Sequence, residues 1–367
     1  MVSDAFLDSM REVGDPLADN AVGELFAGGD LKAVNSVMRT LVENDQPPPE
    51  ALPPVIRDYL AKSEGLPAWA DPGKIKTGQE VFWRLGPEAI AMLLCYSLPF
   101  CYAGRKGVQV LALTSRLYTN PTRRVIETAQ MVVDVLRPGG LAPGGTGVRT
   151  AQKVRLMHAG VRHQIAAYPG WNPDFNKPVN QEDMAGTLLS FSWVVIDGLR
   201  QLGLHIDERQ AEALLHCWNI IGHILGIREE LQAHTMVDAE QLARAIQRRH
   251  YASCPEGQYM TGALVEMIQQ YLPGNLLDPI PPLFMRALLG DRYADMLAVE
   301  PIPSPHLLVL PLKAFNMTVV NMKNSCAIAS AISGHFSRRV IEGILLANRG
   351  GHRIHSTYQP SCVRLGV

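Results

Sequence analysis

Charge is scarce in this chain. Only 19% of its 367 residues are Asp, Glu, Lys or Arg, and the net charge is −1. A nearly neutral chain with scattered Lys and Arg offers no broad field for nucleic acid or anionic lipid. Zinc-finger and RNA-binding signatures are missing, which argues against the nucleic-acid modules legible in sequence. Paired cysteines are missing too: Cys95, Cys101, Cys217, Cys254, Cys326 and Cys362 form no C-x-x-C and no C-x-x-C-H. That removes paired zinc thiolates and covalent c-type haem attachment, and suggests reduced thiols in a cytoplasmic protein.

Other expected signals are equally thin. Met1-Val2-Ser3-Asp4-Ala5-Phe6 has neither a basic n-region nor an apolar h-region, so no secretory signal is expected. The most apolar run, about 89 to 103, is short for a bilayer, contains Pro99 and ends at Arg105-Lys106. It reads as a buried core helix, so no transmembrane segment is expected; a peripheral membrane contact stays open. Gly139-Gly140 and Gly144-Gly145-Thr146-Gly147 follow no strand pattern, lack the G-x-G-x-x-G spacing and precede no Walker lysine. They read as a flexible joint between helices. With no G-x-S-x-G elbow, a serine hydrolase lacks its main signal.

What the chain does have is apolar side chains, 47% of the total, arranged with helical periodicity. Met184, Thr187, Leu188, Phe191, Val195, Gly198, Leu199 and Leu202 keep the i, i+3, i+4 rhythm, as do Leu214, Leu215, Trp218, Ile221 and Leu225. Asn120-Pro121 starts a helix that Gly139-Gly140 ends. Asn180 with Asp183, Asp207 with Gln210, and Asp238 with Gln241 resemble capping boxes. Alternation appears only at 306–311 and 317–321, and there is no internal repeat. The expected class is an all-α multi-helix bundle. Residues 1–65, broken by Pro47-Pro48-Pro49 and Pro53-Pro54, read as a helical arm, 66–300 as the core, and 301–367 as a helical extension packed on it.

Two helices carry the chemistry, Pro121 to Leu136 and about Thr150 to Ala167. On the second, Arg155, His158 and Arg162 lie at i, i+3 and i+7, placing an imidazole between two guanidinium groups on one face. Flanking cations disfavour imidazolium, so His158 should stay neutral and able to ligate a metal, while the arginines suit porphyrin carboxylates. The bland alternatives are a satisfied core histidine or a surface charge cluster. On the first helix, Arg124, Glu127 and Thr128 supply a cation, a carboxylate and a hydroxyl within about one turn. Such groups can stabilise charge on bound dioxygen and carry a proton. From spacing alone the simpler reading is an Arg123–Glu127 ion pair on the outside of the helix. His216 with His223, His352 with His355, and His163 are weaker ligand candidates, and Tyr and Cys can also ligate haem iron.

Lys153-Val154-Arg155-Leu156-Met157-His158-Ala159-Gly160-Val161-Arg162 resembles the core signature of the latex-clearing-protein (rubber oxygenase) and mycophenolate-pathway oxygenase family. Arg123-Arg124-Val125-Ile126-Glu127-Thr128 and Pro178-Val179-Asn180-Gln181-Glu182-Asp183-Met184 resemble two further segments, and the likeness spans about 66 to 300. The resemblance implies a haem b protein with a partly globin-like core that oxidises lipophilic, often isoprenoid, double bonds with dioxygen. It implies His158 as axial iron ligand, Arg155 and Arg162 as supports of the haem site, either anchoring propionates or holding the helix, and Arg124 and Thr128 on the distal side. Glu127 departs from the pattern, since rubber oxygenases carry a distal lysine there. The expected iron is then five-coordinate or water-bound. Without a secretion signal, a small intracellular lipid or terpenoid is the expected substrate rather than an external polymer. Arg286, within Pro282-Leu283-Phe284-Met285-Arg286, falls in another family-like segment. The competing function on the same scaffold is a haem sensor or carrier without oxygenase activity.

Overall fold

Capping chemistry sets most of the helix boundaries. The computed structural model describes residues 2–28, 31–114, 121–271 and 277–301, and among them the regular elements are helical, with one isolated bridge between Gly104 and Tyr251. In chain order they are α1 (Asp4–Arg11), α2 (Pro16–Gly28), α3 (Leu31–Thr40), α4 (Pro54–Lys62), α5 (Pro72–Arg84), α6 (Gly86–Tyr102), α7 (Val108–Leu113) and α8 (Pro121–Leu136). There follow α9 (Gly147–Ala166), α10 (Gln181–Phe191), α11 (Trp193–Gln201), α12 (Glu208–Ile224), α13 (Met236–His250), α14 (Pro255–Tyr271), α15 (Ile280–Leu289) and α16 (Asp291–Met296). The protein is all-α. The alternating stretches, the extension beyond residue 301, His352, His355, Cys326, Cys362 and Asn120 lie outside the described residues.

Two of the three expected caps form as the sequence suggests. Asn180 accepts the Asp183 amide at 2.9 Å and returns its Nδ2 to the Asp183 carboxylate at 2.8 Å. Asp207 accepts the Gln210 amide at 2.8 Å. The third start moves upstream. Thr235 caps α13 by accepting the Asp238 amide at 3.1 Å, while its hydroxyl donates to Asp238 at 2.7 Å. Thr-x-x-Asp is itself a reciprocal cap, and starting there buries Met236.

Two helices deviate from plain periodicity. The single helix expected from Met184 to Leu202 breaks at Ser192, whose hydroxyl donates back to the Leu188 carbonyl at 2.9 Å and competes with the backbone ladder. The apolar run forms a buried helix, as expected, but α6 widens to a π turn over Leu93–Ser97. Pro99 follows directly; it has no N–H, and its ring crowds the carbonyl of residue 95. No single described helix is long and apolar enough to cross a membrane; α5 and α6 pass such a test only together, bent by 85°.

α5 and α12 form the most extensive pairing, and it depends on Gly78: a Cβ there would lie 2.4 Å from the Ala213 carbonyl oxygen. The main core gathers α1 and α5 to α16. A second core joins α2, α3 and α4 to Leu156 and Ala159 of α9. Helix α9 therefore lies between them, with Val148 and Ala151 in the main core and Leu156 and Ala159 against the arm. The glycine-rich joint before α9 is tied down. Asn44 Nδ2 donates to Gly140 O at 2.9 Å and Ala142 O at 2.7 Å, and Gly144 N donates to Asp45 at 2.9 Å.

Candidate functional site

Helices α8 and α9 run antiparallel, because their contacts widen in sequence with distance from the joint. Thr150 donates to Asp134 at 3.1 Å near the turn, and Arg124 Nη1 approaches Met157 Sδ at 3.9 Å two to three turns further on. α8 also packs on α5 and α14, yet Ile126 through Met131 are all half-buried, around the whole circumference of the helix. Leu94, Leu98, Cys101 and Val154 are also only partly buried.

His158 lies deep among protein atoms yet keeps some accessible surface. Its Nδ1 is buried without a hydrogen-bond partner. Burial pushes its pKa down to about 3, with Arg162 and Arg124 adding to the shift. The expected neutral imidazole is therefore present, but burial leads, and the second cation bearing on it is Arg124 rather than Arg155.

Arg155 turns to the arm. Its Nε donates to Asp15 Oδ2 at 2.6 Å, its Nη2 to Asp15 Oδ1 at 2.8 Å, and its Nη1 to the Ile224 carbonyl at 3.1 Å. Of the two roles the sequence left open, its donors are committed to holding the helix. Arg162 donates from Nε to Asp19 at 2.6 Å and from Nη1 to the Val179 carbonyl at 3.1 Å, while its Nη2 is buried without a hydrogen-bond partner, 4.0 Å from Asp15. With Arg162 4% exposed, the surface-cluster alternative falls.

On α8, Arg124, Glu127 and Thr128 are half-buried. Thr128 Oγ1 donates to the Arg124 carbonyl at 3.0 Å, so its proton stays on its own helix and its oxygen is what the site can use, as an acceptor. Tyr102 stands near Arg124, which slightly offsets the strong upward push of burial on the phenol. The side chain of Arg123, needed for the alternative ion pair, lies outside the described residues.

Of the weaker candidates, those among the described residues have contacts within the fold. His216 Nε2 accepts the Asp71 amide at 2.9 Å, and His216, His223 and His234 all meet Trp69 edge-on. His163 stacks on Phe26. Among the described residues no group of three His, Cys, Asp or Glu could hold a metal ion. Glu182 binds Arg11, Arg249 and His250 at 2.8–3.2 Å, tying α1 and α13 to α10. Arg286 joins α15 to α16 through Asp291 at 2.9 Å and Asp295 at 2.7 Å.

A family described as ER-bound oxygenase mpaB/B′/rubber oxygenase, catalytic domain, matches residues 83–320, well over half the chain. The chain belongs to this oxygenase family. The rubber oxygenase of Streptomyces sp. (strain K30) is 25% identical over 304 residues, covering 79% of this chain and 72% of that protein. The solved structure of latex clearing protein LCP in the closed state superposes with a TM-score of 0.76 at 26% identity, covering 84% of each chain. The family match takes in α8, α9 and the π turn, whereas Asp15 and Asp19 lie outside it. Sequence reasoning missed those two carboxylates. No periodicity links Asp15 to an arginine 140 residues away. Gly226, at φ +82°, marks the place only in the folded chain, where a Cβ would meet the Arg155 guanidinium.

Proposed function

We propose that the protein is a haem b-dependent oxygenase that uses dioxygen to oxidise or cleave a carbon–carbon double bond of a lipophilic, isoprenoid-like small molecule. The observation that carries this reading is His158: a neutral imidazole with an unpartnered Nδ1, beside the half-buried face of α8. The donor set fits a haem. His158 would hold the iron, and the Arg162 guanidinium, whose Nη2 makes no hydrogen bond though it lies 4.0 Å from Asp15, would supply positive charge toward a porphyrin carboxylate. When bound, ferrous haem supplies the electrons that activate dioxygen.

The remaining roles belong to the chain. Arg124 places a cation near His158, which favours negative charge developing on oxygen. The Thr128 oxygen accepts a hydrogen bond, and the Glu127 carboxylate takes up and returns a proton. Ile126 and Ala129, partly buried on α8, offer apolar contact that suits an alkene. The same reading takes residues 66–300 as the haem-binding core, 1–65 as its supporting arm and 301–367 as an extension packed on it. The free thiols Cys95, Cys101, Cys217 and Cys254 support a cytoplasmic location.

Haemin titration followed by oxygen-electrode measurement with terpenoid and unsaturated-lipid substrates tests the proposal. A Soret band and alkene-dependent oxygen uptake are expected. A Soret band with no uptake on any alkene would make the protein a sensor or carrier, and no band at all would end the haem reading.

A further inference from the structure

Arg155 and Arg162 stand one turn before and one turn after His158. At 100° per residue their side chains leave α9 about 60° and 40° round from the imidazole, both on the same side. The start of α2 occupies that side. Asp15, 3% exposed, takes a two-point bond from Arg155 and lies 4.0 Å from Arg162 Nη2, while Asp19 takes Arg162 Nε. The two residues are also linked, since the Asp15 backbone amide donates to Asp19 Oδ2 at 2.9 Å.

The surroundings are shaped around this knot. At Gly226 a Cβ would lie 2.6 Å from Arg155 Nε and 2.7 Å from Asp15 Oδ2, and at Gly14 it would lie 2.7 Å from Asp19. Gln181 Nε2 donates to both glycine carbonyls, Gly14 at 2.9 Å and Gly226 at 3.0 Å, so the arm, α10 and the end of α12 close on the arginines together.

We infer that Asp15 and Asp19 are positioning residues for His158: the arm's carboxylates set the rotation of α9 about its axis and so aim the imidazole. This rests on the haem reading above. The lever is large. An imidazole nitrogen stands about 6 Å from a helix axis, so a 20° roll displaces it by about 2 Å. Metal–ligand distances tolerate about 0.2 Å. Apolar contacts at Leu156 and Ala159 are non-directional and resist rolling weakly. The directional bonds of Arg149, Gln152 and Lys153 to the arm lie in the first two turns of α9, so from residue 155 to 162 the carboxylates of α2 and its cap hold the rotation. A two-point guanidinium–carboxylate bond is directional.

The test uses the full-length chain with Asp15→Asn, Asp19→Asn and Asp15→Glu. Three quantities are read: haemin affinity, the Soret and electron-paramagnetic-resonance signatures of the loaded protein, and hydrogen exchange of α9 in the haem-free protein. For Asp15→Asn the expected result is at least tenfold weaker haemin binding, a changed spin-state signature and faster exchange at residues 155–162. Asp15→Glu should recover part of the affinity. If Asp15→Asn does not fold, Asp19→Asn, at the more open edge of the knot, should show the same changes in smaller degree. A folded variant that binds haemin with wild-type affinity and signature overturns the inference, even if it melts earlier. If the wild type takes up no haemin, the haem reading falls, and exchange then decides the rest. Faster exchange at 155–162 in Asp15→Asn upholds control of α9 by the arm, and unchanged exchange refutes it.

Discussion

The Lys153 ammonium donates to the Leu41 backbone carbonyl at 2.6 Å, a bond that crosses from α9 to the arm with the lysine 3% exposed. Burial brings the Lys153 pKa down to about 8; Arg149 adds to the effect and Asp134 opposes it. Between about pH 8 and the ordinary lysine value near 10.4, the unfolded chain holds a proton that the folded chain has released. Stability from this group therefore rises with pH across that window, and its penalty is fully present below it. Buried Cys95, Cys101 and Cys217, with thiols pushed up to about 11 or 12, act in the opposite sense above pH 9. Comparison with Lys153→Met removes that common background. Urea unfolding should show the stability difference moving toward the wild type by up to about 3 kcal/mol between pH 7.5 and 10.5. A pH-independent difference would show that the lysine is not shifted.

Gly78→Ala tests how tightly α5 and α12 pack. The added methyl would sit 2.4 Å from the Ala213 carbonyl oxygen and 2.7 Å from Cys217 Sγ, so the helices must part. The expected cost is about 1–3 kcal/mol in chemical denaturation. A neutral result would mean that the pairing is looser than its geometry implies.

His158→Ala should abolish haem retention. Because the imidazole Nδ1 makes no hydrogen bond, the fold should survive, which circular dichroism checks independently. A purified variant with a full Soret band would remove His158 as the iron ligand.

Glu127→Gln keeps the shape and polarity of the side chain but cannot accept and return a proton. Haem uptake should be unchanged, while turnover on the true substrate falls by about a hundredfold. Unaltered turnover would take Glu127 out of the chemistry.

Much of the local structure was legible because its causes are local. Pro121, the Asn180 and Asp207 caps and the i, i+3, i+4 apolar rhythm act within one or two turns, so α8, α10 and α12 start where the sequence places them. The Ser192 break was less legible, since a serine in helical rhythm either faces away or bonds back, and spacing does not distinguish the two. At the site, the neutrality of His158 was expected from its arginine neighbours, yet burial leads it and Arg124 replaces Arg155 as the second cation.

By itself, then, the amino-acid order determined the helical class, most helix starts and the place of His158 on a helix one loop away from Arg124, Glu127 and Thr128. Tertiary structure alone decided where each arginine points and that Asp15 and Asp19 grip the helix bearing the imidazole. Capping and periodicity are settled between neighbours in the chain. The direction of a guanidinium is settled by whichever carboxylate the folded chain brings within reach, and that partner has no sequence period to announce it.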